Sequence, residues 1–161
     1  GFFRFYKIAM IELDNKAWRL IQALQADGRQ SLKALAGATN LSVPATMERL
    51  RRLEEAGVVR GVHADIDPKA AGYSMGAIIG INAAQPGKRP LLDKLINSPQ
   101  VLECHHVSGN DSYMMFVVAT DLEDLEAFLS EINIFGETRT AIVFSTPIKR
   151  RGLVRPKDHS S

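Results

Sequence analysis

The stretch SLKALAGATNLSVPATMERLRRLEEAG, residues 31–57, decides the fold of the first half of the chain. Its apolar residues recur at helical spacing on both sides of Asn40-Leu41-Ser42, which predicts two short helices joined by a tight turn. Ser31 and Ser42 stand where N-caps are expected, and Asn40 tolerates the left-handed conformation that a tight turn often needs. This is the pattern of a helix-turn-helix.

A further helix precedes this pair. Asp14 is its expected N-cap and Gly28 its expected stop, with Ala17, Leu20, Ile21 and Leu24 at i, i+3, i+4, i+7 spacing between them. The last of the three helices should end at Gly57, and its predicted buried stripe is Val43, Met47, Leu50 and Leu53. In a three-helix unit of this kind, the last helix enters the DNA major groove.

The face of the last helix opposite its predicted stripe carries arginines, which can read guanine or neutralise phosphate. The predicted DNA-contacting residues are Ser42, Pro44, Ala45, Thr46, Glu48, Arg49, Arg51 and Arg52, with Arg60 in the segment that follows. The alternative is an ordinary amphipathic helix whose Glu48–Arg52 and Arg51–Glu55 pairs form a solvated face. The three-helix spacing favours DNA binding.

Composition and charge narrow the class of protein. The 161 residues are 45% hydrophobic with mixed charges, as in a globular protein. Residues 1–67 contain ten Lys or Arg and eight Asp or Glu, and residues 68–148 contain five basic and nine acidic residues. Residues 149–161 contain five basic residues and one acidic residue. The two ends are therefore the better candidates for a nucleic-acid surface. Cys104 is the only cysteine, so no intrachain disulfide can form, which favours a reducing cytoplasm.

The second half predicts alternating strands and helices. Strands are expected at 75–83, 101–107, 112–119 and 138–146, with one helix opening at Pro90 and another capped by Asp121. The order β-α-β-β-α-β is the ferredoxin-like arrangement, so the fold class is α+β: an N-terminal (winged) helix-turn-helix and a C-terminal ferredoxin-like domain. With both helices on one face of the sheet, the other face would be bare. We expect a second copy to cover it.

With both halves in view, the chain resembles the Lrp/AsnC family of bacterial and archaeal feast/famine transcription regulators. The resemblance is carried by LSVPATMERLRRLEEAGVVRG (41–61), DPKAAGYS (67–74), ECHHVSGND (103–111) and TRTAIVFSTPIKRRGL (138–153). It implies a DNA-binding regulator with a hinge strand and a C-terminal domain that dimerises and often forms tetramers of dimers. It also implies a small effector, usually an amino acid, bound between C-terminal domains and altering assembly and promoter occupancy.

Carried onto this sequence, the resemblance implies an effector loop beside the last strand. The implied effector-binding residues are Val107, Gly109, Asn110, Asp111, Ser112, Thr138, Thr140 and Ala141. A glycine turn exposes backbone N–H groups to a carboxylate, and an aspartate can hold an ammonium group. The chain departs from the family here: Ser112 stands at the usual aspartate position, and Asp111 comes one residue early. The stretch 128–139 is also about one helical turn shorter than usual.

Two other functions share this architecture. Sirohaem decarboxylases have a similar ending to the FST…KRRGL segment and would use His105 or His106, but they tend to carry an aromatic Trp-Pro insertion that this chain lacks. The other alternative is an amino-acid sensor without DNA binding. The regulator resemblance leads us to expect no enzyme activity and no cofactor. We also expect no metal site, because the adjacent histidines on a strand point to opposite faces.

The predicted organisation therefore has five segments. Residues 1–9 are a leader or an addition upstream of a start at Met10, 10–60 the helix-turn-helix, 61–72 the hinge, 73–148 the effector and dimerisation domain, and 149–161 a basic tail. The expected partners are double-stranded promoter or operator DNA, an amino-acid effector and further copies of the chain, with no membrane. The expected location is cytoplasmic, at the nucleoid.

Overall fold

Residues 11–84 and 87–157 are described by a computed structural model. They form two compact units: residues 11–64 together with 149–157, and residues 65–148. The C-terminal segment, predicted to be a separate basic tail, belongs to the unit of the N-terminal helices. The expectations for residues 1–9, and most of the turn expected at 85–87, lie outside the described residues.

The first unit contains three helices with the predicted caps. They are α1 (Asn15–Ala26), α2 (Leu32–Thr39) and α3 (Val43–Glu55), and the side chains of Asp14, Ser31 and Ser42 each accept a backbone N–H of the first turn. Asn40 ends α2 with φ of 57°, the predicted left-handed conformation. The core of the unit is built around Leu20, Leu35 and Leu53, which are almost fully buried.

The predicted buried stripe of α3 is half right. Met47 and Val43 were expected in the core, but their side chains are 52% and 36% exposed. Leu53 is buried and Leu50 packs at the edge of the core, as predicted, and the further buried position is Thr46. This stripe also follows helical spacing, and the buried threonine hydroxyl is satisfied by donating to the Ser42 carbonyl at 2.9 Å.

The segment that follows α3, residues 58–67, does not form the hinge strand that the family resemblance implies. Residues 58 and 59 form a bend, and residues 60–67 have no regular secondary structure. A strand needs a neighbour to receive its backbone hydrogen bonds, and in the described part of the chain no strand pairs with this segment. Its apolar side chains Val62 and Ile66 are more than half exposed.

The second unit has the predicted β-α-β-β-α-β order. Its elements are β1 (Met75–Asn82), α4 (Lys88–Ile96), β2 (Val101–His106), β3 (Tyr113–Ala119), α5 (Leu122–Ile132), a short 3₁₀ turn (Asn133–Phe135) and β4 (Glu137–Ile142). The strands form one antiparallel sheet in the order β2-β3-β1-β4. β4 ends at Ile142, short of the predicted Thr146. The register places Met75, the first residue of β1, opposite residue 144, so residues 145 and 146 have no partner on β1.

Both helices pack on the same face of the sheet. Ile79, Ile81 and Met115 lie on that face and are at most 1% exposed, in a core shared with Leu91 of α4 and Phe128 of α5. Side chains that alternate with them point to the opposite face, among them Ile78, which is 44% exposed. The second unit thus leaves one face of its sheet without helices. No described helix is long and apolar enough to cross a membrane.

Candidate functional site

The outer surface of α3 is the candidate nucleic-acid interface. Ser42 and Pro44 are exposed at its N-terminal end, Ala45 is half-buried, and Arg60 is exposed in the segment that follows. Thr46 is fully buried, which corrects its prediction as a DNA-contacting residue. Its hydroxyl supports the first turn of the helix and does not face outward.

Carboxylates hold all three arginines of α3. Arg51 donates to both oxygens of Glu48 at 2.7 and 2.9 Å and also pairs with Glu55. Arg52 donates to Glu48 at 3.1 Å, so this one carboxylate faces two guanidinium groups. These contacts include the Glu48–Arg52 and Arg51–Glu55 pairs predicted under the amphipathic alternative. Such exposed pairs are weak, so DNA phosphates can replace them.

Arg49 differs from the other two because its partner lies on α1. Its Nη1 contacts both carboxylate oxygens of Asp14 at 2.9 and 3.0 Å. Asp14 also caps α1 by accepting the Ala17 N–H at 2.8 Å. One carboxylate therefore both starts the first helix and holds a candidate DNA-contacting side chain of the third.

These contacts change the acidity of the carboxylates. The Arg49 guanidinium, with help from the Ala17 N–H, holds the pKa of Asp14 below its ordinary value. The hydrogen bonds from Arg51 and then Arg52 lower the pKa of Glu48 to about 2. Both groups therefore remain ionised at neutral pH, and the α3 surface of the free protein is largely neutralised within itself.

Val43 and Met47 belong to the candidate interface, and sequence reasoning placed them in the core. They share a helix face with Arg51 at i, i+4, i+8 spacing, and both are exposed. Apolar side chains on a helix in the major groove can contact the thymine methyl group. The available signal was the competing stripe of Thr46, Leu50 and Leu53, which fits helical spacing equally well.

The predicted effector loop joins β2 to β3. Gly109 adopts φ of 109°, a conformation that favours glycine, so the tight turn depends on this residue. Ser112 does not point outward: its Oγ lies 3.2 Å from both the N and the O of Ala83. Its backbone N–H donates to the Ile81 carbonyl at 2.8 Å. Ser112 therefore fastens the loop to the end of β1.

Asp111 lies over the face of the sheet that carries no helices. Arg139 of β4 donates to its Oδ1 at 2.5 Å, and the Asp111 side chain is only 19% exposed. Gly80 makes room for it, because a Cβ at that position would lie 2.5 Å from Asp111 Oδ2. Arg139 was not among the predicted effector-binding residues, although it lies on the predicted strand between Thr138 and Thr140.

The remaining predicted effector residues divide between the two faces. Ala141 and Arg139 pair with Ile78 and Gly80, and so share the bare face with Asp111. Thr138 and Thr140 pair with Ile81 and Ile79, which places them on the helix side. In the loop itself Asn110 is exposed and Val107 is half-buried. The structure therefore brings Asp111, Arg139 and Ala141 onto one surface and excludes the threonines from it.

A shallow depression of about 290 Å³ lies on the same bare face. Its lining includes Ile78, Met114, Phe116, Glu103 and His105. The strand register puts His105 opposite Met114 on this face, and His106 opposite Tyr113 on the other, which confirms that the two histidines point apart. Among the described residues, no group of three or more His, Cys, Asp or Glu side chains is arranged to hold a metal ion.

Two family descriptions match the chain, one for each half. The winged helix-turn-helix DNA-binding domain matches residues 13–60, which contain the three helices. The Lrp/AsnC ligand binding domain matches residues 76–153, which contain the sheet, the effector loop and the start of the C-terminal segment.

Individual relatives agree with this division. The transcriptional regulator LrpA of Mycobacterium tuberculosis is 36% identical over 132 residues, covering 79% of this chain and 87% of its own length. A feast or famine regulatory protein of M. tuberculosis, solved in complex with L-methionine, has a TM-score of 0.83 and 33% identity, covering 89% of this chain and all of its own. A Neisseria meningitidis transcriptional regulator in complex with L-Met has a TM-score of 0.80 and 25% identity, covering 92% of this chain and 99% of its own.

The Asp14–Arg49 contact predicts a pH-dependent contribution to the stability of the first unit. Because folding lowers the pKa of Asp14, its contribution is present above the unfolded pKa and is lost as pH falls through the folded one. Asp14→Asn keeps the cap acceptor but removes the charge. We expect this variant to be less stable than wild type at pH 7, by up to about 1 kcal/mol, and equally stable near pH 2.

The fluorescence of Trp18, the only tryptophan in the chain, reports unfolding of this unit. Glu54→Gln is the matched control, since it removes one exposed negative charge from α3. A stability difference between wild type and Asp14→Asn that is the same at both pH values would contradict the prediction.

Proposed function

We propose a mode of DNA and effector binding for this chain, which belongs to the Lrp/AsnC family of helix-turn-helix transcriptional regulators. The chain regulates transcription through its DNA-binding unit, and its curated relatives carry the names of regulators and not of enzymes. The observation that carries the proposal is the exposed face of α3, which presents arginines and apolar side chains together.

In the proposed complex, α3 lies in the major groove. The N-terminal residues Ser42 and Pro44 and the side chains of Val43 and Met47 face base edges, since this end of a recognition helix enters the groove. Arg49, Arg51 and Arg52 exchange their carboxylate partners for phosphates or guanine, while Glu48 faces cytosine or the displaced arginines. Arg60 contacts the sugar-phosphate backbone.

We propose that two copies associate through the bare face of the sheet. Ile78 is 44% exposed at its centre, and Met114 and Phe116 are half-buried beside it. A partly apolar face of this kind is stabilised when a second copy removes it from water. A two-fold dimer would present two α3 helices to half-sites about one helical turn apart, and so would read a roughly palindromic operator.

The proposed effector is an amino acid. Two structurally similar regulators are complexes with L-methionine, and the loop here has the chemistry that an amino acid requires. Asp111 can hold the ammonium group, while Arg139 and the backbone N–H groups around Gly109 can hold the carboxylate. The half-buried position of Asp111 weakens competition from water. Ser112 stabilises the fold of the loop, and its neighbours contact the ligand.

Effector binding controls transcription by changing assembly. Asp111 and Arg139 lie on the face through which we propose the dimer forms, so a ligand between them touches that interface. It can shift the equilibrium among dimers and tetramers of dimers only by the difference in its affinity for those states. The bound DNA places the protein at the nucleoid of the cytoplasm.

A second candidate, an amino-acid sensor without DNA binding, is favoured by one observation. Every arginine of α3 already has a carboxylate partner. The DNA experiment below separates the two candidates.

We expect Arg52→Ala to weaken binding to a DNA fragment from upstream of the protein's own gene. Loss of a base contact should cost about 1–3 kcal/mol of binding free energy for the operator only. Loss of a phosphate contact should weaken binding to all DNA sequences by the same factor. Gel-shift titrations against operator and unrelated DNA measure both. Arg89→Ala, which removes an exposed arginine of α4, is the control. Unchanged operator binding by Arg52→Ala would remove this residue from the interface, and a wild type without specific binding would favour the sensor.

We expect Ile78→Lys to produce monomers. The lysine would put a charge in the centre of the proposed dimer interface, while the exposed position should leave the fold of the monomer intact. Size-exclusion chromatography with light scattering gives the mass, and Ile96→Lys is the control, because Ile96 is 79% exposed on α4. An Ile78→Lys protein with the mass of wild type would exclude this face as the dimer interface.

We expect Asp111→Asn to abolish the response to amino acids while leaving DNA binding without effector unchanged. The test is operator titration with and without each amino acid, beginning with L-methionine, at two salt concentrations. Glu126→Gln on α5 removes a negative charge elsewhere in the same unit and should respond as wild type. A full response by Asp111→Asn would show that the ammonium group is held elsewhere.

A further inference from the structure

The C-terminal segment, residues 149–157, is attached to α1 by specific hydrogen bonds; we call it the C-terminal strap. The Gln25 carboxamide donates to the Leu153 carbonyl at 2.9 Å and accepts the Leu153 N–H at 2.7 Å. This is how a paired residue in a β-ladder uses its two backbone groups, so the side chain replaces a neighbouring strand. A Cβ on Gly152 would lie only 3.0 Å from the Gln25 side chain, which shows how closely the two pack.

A second attachment gives the strap a direction. Arg155 donates to the Asn15 side chain at the first turn of α1. Gln25 and Asn15 lie ten residues, or about 15 Å, apart along the helix. The strap therefore points along α1 from its C-terminal part toward its N-terminus. Residues 153 and 155 span at most about 7 Å, so the long Arg155 side chain covers much of the distance to Asn15. Asn15 follows Asp14, the residue that holds Arg49 of α3.

The strap is strongly basic. Its sequence, KRRGLVRPK, has five positive charges and no acidic residue. Lys149, Arg151 and Lys157 are exposed on its surface. A basic run with no fixed position is usually only solvated, but this one is fixed to the DNA-binding unit and leads to the edge of the candidate interface. Fixed cations lose less entropy than a free tail when they contact phosphate.

We infer that the C-terminal strap is a second DNA-contacting element, which binds phosphates of the sugar-phosphate backbone next to the site of α3. Gln25 is a positioning residue, because it fixes the strap to the unit and does not itself face DNA. Arg151 and Lys157 supply charge on either side of the Leu153 attachment, and Arg155 supplies charge beside Asn15. This inference rests on the proposed DNA binding by α3. The phosphate contacts of the strap add affinity that does not depend on the DNA sequence.

The salt dependence of binding tests the strap. For the full chain, the logarithm of the affinity should fall linearly with the logarithm of salt concentration, and each phosphate contact adds about 0.9 to the slope. We expect the double variant Arg151→Ala, Lys157→Ala to lower the slope by nearly two and to weaken operator and unrelated DNA by the same factor. Arg89→Ala together with Lys88→Ala, which removes two cations from α4, should leave both slopes unchanged.

Two glutamine variants separate positioning from charge. Gln25→Ala releases the strap without changing any charge, and we expect it to lower the slope for both DNA fragments. Gln22→Ala, an exposed glutamine on the same helix, should bind as wild type. Trp18 fluorescence and circular dichroism check that each variant is folded.

The strap and the proposed function fail in different ways. If wild type binds the operator and the Arg151/Lys157 double variant keeps its slope, the strap makes no phosphate contacts and the inference is overturned, while α3 keeps its role. If Gln25→Ala lowers the thermal stability but not the slope, the attachment is structural only. If wild type binds neither fragment, the proposed DNA binding fails and the strap with it.

Discussion

A four-stranded sheet with both helices on one face must leave its other face to something outside the unit. Much of the candidate site depends on this constraint. The alternation along β3 buries Met115 and leaves Met114 and Phe116 on the other side. The same alternation along β4 brings Arg139 to the bare face, where the missing side chain of Gly80 allows Asp111 to reach it. The proposed dimer interface and the proposed ligand contacts therefore share one surface. A ligand bound there would contact the interface directly and so could affect assembly.

The surface of α3 has the opposite character, because its charges are satisfied before any partner arrives. When an arginine exchanges a carboxylate for a phosphate, one ion pair replaces another. The favourable free energy of DNA binding then comes largely from released counterions and from base contacts. If DNA binds α3 as proposed, such a surface would discriminate against unrelated DNA, which offers phosphates but not the matching bases. The pKa values of Asp14 and Glu48 are lowered by their arginine partners, so both carboxylates are ionised throughout the neutral range.

Sequence reasoning succeeded where a residue's role is local. Asp14, Ser31, Ser42 and Asp121 all cap the helices for which they were predicted, because an N-cap depends on only three or four neighbouring residues. The order of strands and helices followed from periodicity in the same way. The prediction of buried residues failed where two different stripes of residues fit helical spacing. On α3 the stripe through Met47 and the stripe through Thr46 both have helical spacing, and only packing against α1 and α2 chooses between them.

The candidate ligand residues show a similar limit. The family resemblance located the loop and its neighbouring strand, but not which face each side chain takes. The structure puts Thr138 and Thr140 on the helix side, and it uses the Ser112 hydroxyl to fasten the loop. Arg139 could not be chosen from sequence, since its role depends on a contact 28 residues away.

The DNA-binding unit is not contiguous in the chain. Residues 65–148 lie between its helices and the strap that runs along α1. During synthesis the N-terminal helices emerge first and can fold, but the strap leaves the ribosome only after the whole second unit has been made. A nascent chain therefore has its helix-turn-helix long before it has its full set of cations. Under the proposed role of the strap, the order of translation delays tight DNA binding until the unit that carries the effector loop has been made.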